Sequence, residues 1–215
     1  MPRRAPLSTV LTAEEQAALT PDQVLQSLKD GNRRFVNNDI TARDHTAQVR
    51  KAAAGQFPKA MILSCVDSRV PVEDVFDKGI GDIFVGRVAG NFVNEDLLGS
   101  MEFACKVAGA KLILILGHEY CGAVKAAIDN VKLGNITAML AKIRPIVTRS
   151  AKTFRGRKLS TNPAFMDYVA RANVLHNVKL VTRRSPVLRE MVKAGDLKVT
   201  GAYYDLDTAV VDFFD

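Results

Sequence analysis

Four short apolar runs constrain the fold more than any other feature of this 215-residue sequence. Three of them, at residues 60–64, 82–85 and 112–116, are almost continuously apolar, and a weaker one lies at 197–200. Helical patterns separate the runs. A strand that is apolar on both sides must be covered on both faces, as in parallel sheets. The alternation therefore predicts an α/β fold with a mostly parallel central β-sheet flanked by helices.

The helical patterns divide the chain into an N-terminal part and one larger domain. In the larger domain they lie at 97–108, 122–129, 165–181 and 187–194. Residues 149–163 are rich in Arg, Lys, Gly, Ser, Thr and Asn, and we expect a surface loop there. The predicted division is a helical arm at 1–55 followed by a single α/β catalytic domain at 56–215.

The arm contains a strong helix start signal. Thr20 can cap a helix, Pro21 suits the first turn, and Gln23 stands three residues after the cap. The apolar stripe of this helix consists of Val24, Leu25, Leu28 and Phe35. Because such an arm has little core of its own, we expect it to pack on another part of the chain or on a partner subunit.

Composition excludes several classes of protein. The 30 basic and 23 acidic residues give a net charge of +7, but no run of basic residues indicates a nucleic-acid-binding surface. No apolar stretch approaches the ~18 residues of a membrane span, and we recognise no secretory signal. Three cysteines, one of them in the helical pattern at Cys105, do not make a disulfide framework. We expect a reducing cytoplasm, and a periplasmic location after removal of an unseen signal stays open.

The chemistry-bearing residues follow the predicted strands. Cys65 comes directly after the first apolar run, His118 follows the third, and Cys121 opens the next helical pattern. Ligands of open α/β sheets bind outside the carboxyl ends of the strands. We therefore expect these three side chains to converge. Two thiolates and an imidazole can hold a zinc ion with one coordination position left open. A structural zinc site, or buried thiols without metal, is the alternative.

Asp67 decides what happens at the open position. It can bind the metal as a fourth ligand and close the site, or it can accept a hydrogen bond from a bound hydroxide. Arg69 lies within reach of a bidentate pair, which would keep the carboxylate ionised and away from the metal. An ordinary ion pair remains the alternative. Two thiolates cancel the charge of zinc and oppose ionisation of its water, and Arg69 or Arg87 could compensate.

The motifs resemble those of the β-class carbonic anhydrases. The similarity lies in Cys65-x-Asp67-Ser68-Arg69, in His118-x-x-Cys121-Gly122, and in residues 87–91, 100–102 and 117–125. It extends over roughly residues 20–215 and is weaker in the last fifty. The resemblance implies one Zn²⁺ per chain on Cys65, His118 and Cys121. It also implies reversible hydration of carbon dioxide to bicarbonate and a proton, by a zinc-bound hydroxide that the Asp67–Arg69 dyad orients.

The same resemblance implies further substrate contacts and an assembly. Gln56 would position carbon dioxide or bicarbonate, Phe84 would form an apolar wall, and Gly122 would offer its backbone. The chain would form a homodimer or a dimer of dimers, with N-terminal helices over the neighbour and the pocket at the interface. Neither nucleic acid nor a membrane is an expected partner.

Two alternatives to carbon dioxide hydration remain at this stage. The same scaffold could hydrolyse carbonyl sulfide or carbon disulfide, or it could be a non-catalytic zinc-binding or thiol-sensing protein. A subset of the family closes its site by moving the aspartate onto zinc. That subset carries Trp three residues before the first Cys, where this chain has Ile62. We therefore expect the open form at neutral pH.

Overall fold

The structure, a computed structural model, describes residues 6–214 and contains one five-stranded sheet. The strands are β1 (Ala60–Ser64), β2 (Ile83–Arg87), β3 (Leu112–His118), β4 (Lys198–Tyr204) and β5 (Val211–Phe214). Their spatial order is β2-β1-β3-β4-β5, and only the β4–β5 pair is antiparallel. This arrangement confirms the predicted mostly parallel sheet.

Helices surround the sheet within the described part of the chain. They are α1 (Ala13–Ala17), α2 (Pro21–Val36), α3 (His45–Ala52), α4 (Val72–Val75), α5 (Glu95–Glu102), α6 (Gly122–Ile128), α7 (Gly134–Leu140), α8 (Arg144–Thr153), α9 (Pro163–Arg184) and α10 (Pro186–Ala194). Helix α5 continues into one π-helical turn at Phe103–Val107. The longest helix, α9, has 22 residues and packs against β3 and β4.

The central strands are apolar on both sides because both of their faces are covered. Ile62 and Leu114 point into the cluster that also contains Leu28 of α2. Leu63 and Ile115, their neighbours in sequence, point into the cluster on the opposite face, with residues of α9 and α10. Successive strand residues alternate between faces, so each central strand requires apolar side chains at every position.

The N-terminal helix begins as the start signal predicts. Oγ1 of Thr20 accepts a hydrogen bond from the Gln23 N–H, and the Gln23 side chain accepts one from the Thr20 N–H. Val24 and Leu28 are fully buried in a cluster with Phe76 and the sheet of the same chain. The apolar stripe of α2 is therefore covered by its own domain, and packing of the arm on a partner subunit stays a prediction for its other surfaces.

The predicted surface loop at 149–163 is only partly a loop. Helix α8 extends to Thr153 and buries Ile146 and Ser150, and the irregular segment begins at Phe154. Arg149 and Lys152, two of the basic residues that suggested a loop, lie on the exposed side of this helix.

The short antiparallel strand β5 is not among the predicted strands, because the exposed Asp212 interrupts its apolar residues.

None of the helices within residues 6–214 combines the length and the apolar character that crossing a membrane requires.

A buried carboxylate ties the segment after α2 to the domain. Asp77 accepts hydrogen bonds from Arg34 Nε at 2.5 Å, from Arg43 Nη1 at 2.6 Å, and from the N–H and hydroxyl of Thr41. Burial would raise the pKa of Asp77, but the hydrogen bonds from Arg34, Thr41 and Arg43 outweigh it and lower the pKa to about 2. The arm is therefore anchored by charge as well as by the apolar face of α2.

Replacing this carboxylate is expected to destabilise the fold in a pH-dependent way. Asp77→Asn should lower the free energy of unfolding at neutral pH by about 3 kcal/mol, because the mostly buried Arg43 and the partly exposed Arg34 lose their counter-charge. The folded-state pKa is depressed, so the stabilisation is present above the unfolded value of 3.8 and is lost as pH falls toward 2. Urea unfolding at neutral pH and at about pH 3 measures the difference between wild type and variant. Asp74→Asn, at an exposed position, is the control. If wild type and Asp77→Asn differed as much in free energy of unfolding at about pH 3 as at neutral pH, the stabilisation would not come from the ionised Asp77.

Candidate metal centre

The topology of the sheet brings the predicted ligands to one edge. Strands β1 and β3 are parallel neighbours, with Leu63 opposite Ile115. Cys65 directly follows β1, and His118 is the last residue of β3. Cys121 occupies the position immediately before α6. Because parallel neighbours end at the same side of the sheet, residues distant in sequence meet there.

The three side chains form a compact, buried group. The sulfurs of Cys65 and Cys121 and a ring nitrogen of His118 all lie within 4.8 Å of one another. His118 is 1% exposed, and its Nδ1 lies 2.8 Å from the backbone oxygen of Glu119. If Nδ1 donates that hydrogen bond, Nε2 keeps its lone pair. Nε2 has no hydrogen-bond partner within residues 6–214. An unpartnered buried nitrogen beside two sulfurs is the arrangement that a metal ion satisfies.

Without a cation, the two sulfurs cannot both be ionised. The hydrogen bond from Cys121, together with the nearby His118 ring and the Gly90 N–H, lowers the pKa of Cys65 to about 4. The hydrogen bond to Cys65 and burial raise the pKa of Cys121 well above its ordinary value. A thiolate therefore stands beside a thiol. A divalent ion between them would stabilise both as thiolates, and two sulfurs with one nitrogen are a donor set that fits zinc.

Asp67 lies beside this group and is held by Arg69. Its Oδ1 accepts from Arg69 Nε at 2.9 Å and its Oδ2 accepts from Arg69 Nη2 at 2.8 Å. The Arg69 N–H also donates to Oδ1, at 3.0 Å. Oδ2 is 3.8 Å from Nε2 of His118. The Arg69 side chain, more than any other group, holds the pKa of Asp67 well below its usual range. The carboxylate is thus ionised and close to the ligand atoms.

Arg87 secures the loop that carries both Cys65 and Asp67. Its Nε donates to the Cys65 carbonyl at 2.8 Å, and its Nη2 donates to the Asp67 carbonyl at 2.5 Å. The sequence suggested only that its charge could compensate the thiolates. The two carbonyl contacts could not be read from sequence, because they depend on β2 lying beside β1.

Gly90 brings a backbone donor to the metal ligand. Its N–H lies 3.3 Å from the sulfur of Cys65. The residue has φ +84°, and a Cβ at this position would lie 2.4 Å from Cδ1 of Ile143. A larger residue would meet both a strained backbone and a steric overlap. Only the presence of Gly90 in the segment 87–91 marked it in the sequence.

The predicted substrate contacts fall into two groups. Gly122 begins α6 directly after Cys121 and is exposed at the same edge of the sheet. Gln56 is exposed before β1, whereas Cys65 follows that strand. The backbone of Lys59 hydrogen-bonds to neighbouring segments on both sides, so the chain is already extended at this residue. From Lys59 to Cys65 the extended chain spans about 20 Å. Gln56 precedes Lys59 by three residues, which span at most about 10 Å even if the chain turns back toward Cys65, so Gln56 lies well away from the sulfurs of its own chain.

Phe84 also lies away from the ligands of its own chain. It pairs with Met61, four residues before Cys65, which is about 13 Å along the strand. Its ring contacts that of Phe103, with centroids 6.2 Å apart, and both rings line a cavity of about 540 Å³ together with Leu97. This cavity opens beside β2, which is an edge strand of the sheet. Five of the eight predicted residues therefore meet around the ligand group, Gly122 adjoins it, and Gln56 and Phe84 do not reach it within one chain.

The chain is similar in sequence to known proteins over most of its length. A sequence profile of the family described as carbonic anhydrase matches residues 60–211. The protein named carbonic anhydrase 2 of Mycobacterium tuberculosis (strain CDC 1551 / Oshkosh) is 36% identical over 192 residues, which cover 87% of this chain and 89% of that protein.

Solved structures are similar over most of the chain. The β-carbonic anhydrase of Coccomyxa in complex with acetazolamide is 26% identical, with a TM-score of 0.70, and the match covers 89% of this chain and 84% of that one. A tetrameric β-carbonic anhydrase of Sordaria macrospora shares the fold at 22% identity, with a TM-score of 0.71, over 90% of this chain and 95% of that one.

A pair of cysteine variants tests the metal centre. Cys121→Ser should lose the bound divalent ion, because a hydroxyl does not replace a thiolate at neutral pH. Cys105 is a matched control, since it is equally buried but lies in the π-helical turn, where burial raises its thiol pKa to about 12. Metal analysis of purified Cys105→Ser should find the wild-type content. Equal metal content in Cys121→Ser and wild type would contradict the assignment.

Proposed function

The chain belongs to the β class of the carbonic anhydrase family, and we propose that it catalyses the reversible hydration of carbon dioxide to bicarbonate and a proton, with a zinc ion on Cys65, His118 and Cys121. One observation carries this proposal. Three buried ligand atoms lie within 4.8 Å of one another, with the Asp67–Arg69 pair directly beside them. A structural zinc site would usually have a fourth protein ligand instead.

The proposed ion supplies one piece of chemistry: as a Lewis acid it lowers the pKa of a coordinated water toward neutrality. The remaining work falls to the protein. Cys65 and Cys121 neutralise the ion and hold it in a buried position, and His118 is oriented by its contact with the Glu119 carbonyl. Arg69 and Arg87 place positive charge next to two thiolates, which favours negative charge on the attacking oxygen.

Asp67 is proposed to orient the nucleophile. An ionised carboxylate only accepts hydrogen bonds, so it can hold an attacking oxygen only through a hydrogen on that oxygen, which leaves a lone pair free for carbon dioxide. Arg69 binds both carboxylate oxygens and so opposes movement of Asp67 onto the metal. These contacts support the open form that the sequence analysis expects.

Asp67→Asn separates an orienting carboxylate from a metal ligand. The variant should lose most hydration activity, about 100-fold or more, because an amide can present a donor where an acceptor is required. It should keep one zinc per chain. Asp74→Asn, at an exposed site in α4, is the control and should keep full activity. Stopped-flow hydration and metal analysis of the same samples are the measurements. Loss of zinc from Asp67→Asn would show that Asp67 is a ligand.

We propose that Gln56 and Phe84 serve the site of a partner subunit. Neither reaches the ligand group of its own chain, and Phe84 lies at the edge strand beside an open cavity. The resemblance to the family implies pockets at a dimer interface, and a relative with the same fold is tetrameric. A homodimer, or a dimer of dimers, would bring Phe84 of one copy to Cys65 of the other.

Mixed dimers test this arrangement. Asp67→Asn and Phe84→Ala chains each form impaired homodimers, but a mixed dimer would contain one site with Asp67 and Phe84 both intact. Refolding an equal mixture should restore about a quarter of wild-type activity if the subunits combine at random. Mixing Asp67→Asn with a second inactive ligand variant, Cys121→Ser, is the control and should restore none. Activity equal to the average of the separate homodimers would contradict a shared site.

The choice of substrate and the compartment are part of the same proposal. Stopped-flow assays with carbon dioxide and with carbonyl sulfide separate hydration from sulfur-analogue hydrolysis. A protein that binds zinc and accelerates neither reaction would support a sensing role instead. A reducing compartment such as the cytoplasm suits two ligand thiols that must remain unoxidised.

A further inference from the structure

The buried stripe of α9 contains two asparagines where the pattern calls for apolar residues. The buried positions of this helix are Phe165, Met166, Val169, Ala170, Asn173, Val174, Asn177 and Val181. Asn173 is 0% exposed and Asn177 is 2% exposed. Burying a carboxamide among apolar side chains is unfavourable unless each polar atom finds a partner. Asparagine at such a buried position indicates that the hydrogen bonds of its side chain have a structural role.

The two asparagines hold one short segment of backbone. Nδ2 of Asn173 donates to the Gly90 carbonyl at 2.9 Å. Oδ1 of Asn177 accepts from the Val93 N–H at 2.7 Å. The side chains are also joined, because Asn177 Nδ2 donates to Asn173 Oδ1 at 3.1 Å. Residues 90–93 are thus clamped at both ends by one helix.

This segment needs a clamp because its backbone is strained. Gly90 has φ +84° and Asn91 has φ +38°, so two successive residues are in the left-handed region. Residues other than glycine rarely adopt such a conformation, although asparagine does so more readily than most, so the surroundings of Asn91 help to hold it. The N–H of Gly90, at the start of the segment, points to the Cys65 sulfur at 3.3 Å. The direction of this donor therefore depends on how the segment is held.

We propose that Asn173 is a positioning residue for the metal centre, which holds Gly90 so that its N–H donates to the sulfur of Cys65 and limits the charge that this sulfur gives to the metal. The inference rests on the proposed function, because it requires a metal on Cys65. Asn173 itself touches neither the metal ligands nor the substrate position. It acts through the backbone of residues 90–93.

The physical effect follows from the charge on sulfur. An N–H that donates to a thiolate withdraws electron density and stabilises the sulfur lone pairs. Two thiolates already cancel the charge of a divalent ion, so a weaker donor leaves the ion a stronger Lewis acid. Outer hydrogen bonds of this kind typically change metal affinity by about 10- to 100-fold.

Cobalt(II) gives a direct readout of this sulfur. The probe is cobalt bound to metal-free protein, and the signal is its sulfur-to-metal charge-transfer absorption. Asn173→Leu keeps the size of the side chain but removes the donor to Gly90. The band should move to longer wavelength, because a thiolate without its N–H bond is more easily oxidised.

Val181→Ala is the matched control. Val181 is also fully buried in α9, two turns beyond Asn173, in a core cluster on the same face of the sheet. Its truncation destabilises the helix packing but removes no hydrogen bond to residues 90–93, so it should keep the wild-type band. Asn173→Ala is a second variant that avoids overpacking and should shift the band in the same direction as Asn173→Leu.

The outcomes separate this inference from the proposed function. A shifted band in both Asn173 variants, with the wild-type band in Val181→Ala, would support the positioning role. An unshifted band in folded Asn173 variants would overturn it and leave the proposed function intact. A shift of equal size in Val181→Ala would also overturn it, since general loosening of α9 would then explain the effect. Wild-type protein that binds no cobalt would overturn both.

Discussion

Two buried sulfur atoms that lie within a few ångströms of each other cannot both carry charge unless a cation lies between them. This repulsion explains the opposite pKa shifts of Cys65 and Cys121, one lowered and the other raised. The buried Nε2 of His118 beside them also lacks a hydrogen-bond partner within residues 6–214. A divalent ion removes the conflict, satisfies the nitrogen and leaves one coordination position, and the family's hydration chemistry requires all three.

The remainder of the site controls the charge around that ion. Arg69 keeps Asp67 ionised and hydrogen-bonds to its carboxylate, while Arg87 donates hydrogen bonds to the carbonyls of the loop between β1 and α4. The backbone donor at Gly90 acts on the sulfur itself. These groups come from two segments of chain, one after β1 and one at the end of β2, so the pairing of these strands determines where the charges lie. The arginines and the peptide dipoles are already in place before the reaction. They can therefore neutralise the charge of the two thiolates without moving during it.

The sequence predicted those features of the fold that depend mainly on residues close together in the chain. The capping box at Thr20 and Gln23 needs only four consecutive residues, and it is present. The apolar runs of β1 and β3 require two covered faces, and they lie at the centre of the sheet. Prediction failed where burial is uneven. Helix α8 exposes most of its basic residues and resembled a loop, and β5 is a four-residue edge strand whose apolar residues are interrupted by the exposed Asp212.

By itself, the sequence determined the fold class and the chemistry of the ligand set, because continuous apolar strands and thiols at their carboxyl ends are local properties of the chain. Only the tertiary structure decided which residues meet. It placed Gln56 and Phe84 away from the sulfurs of their own chain, although the family resemblance implies that both contact the substrate. It also joined Asn173 to Gly90 across 83 positions. Such contacts depend on the packing of α9 against the sheet, and no spacing along the chain records the direction of a hydrogen bond between elements.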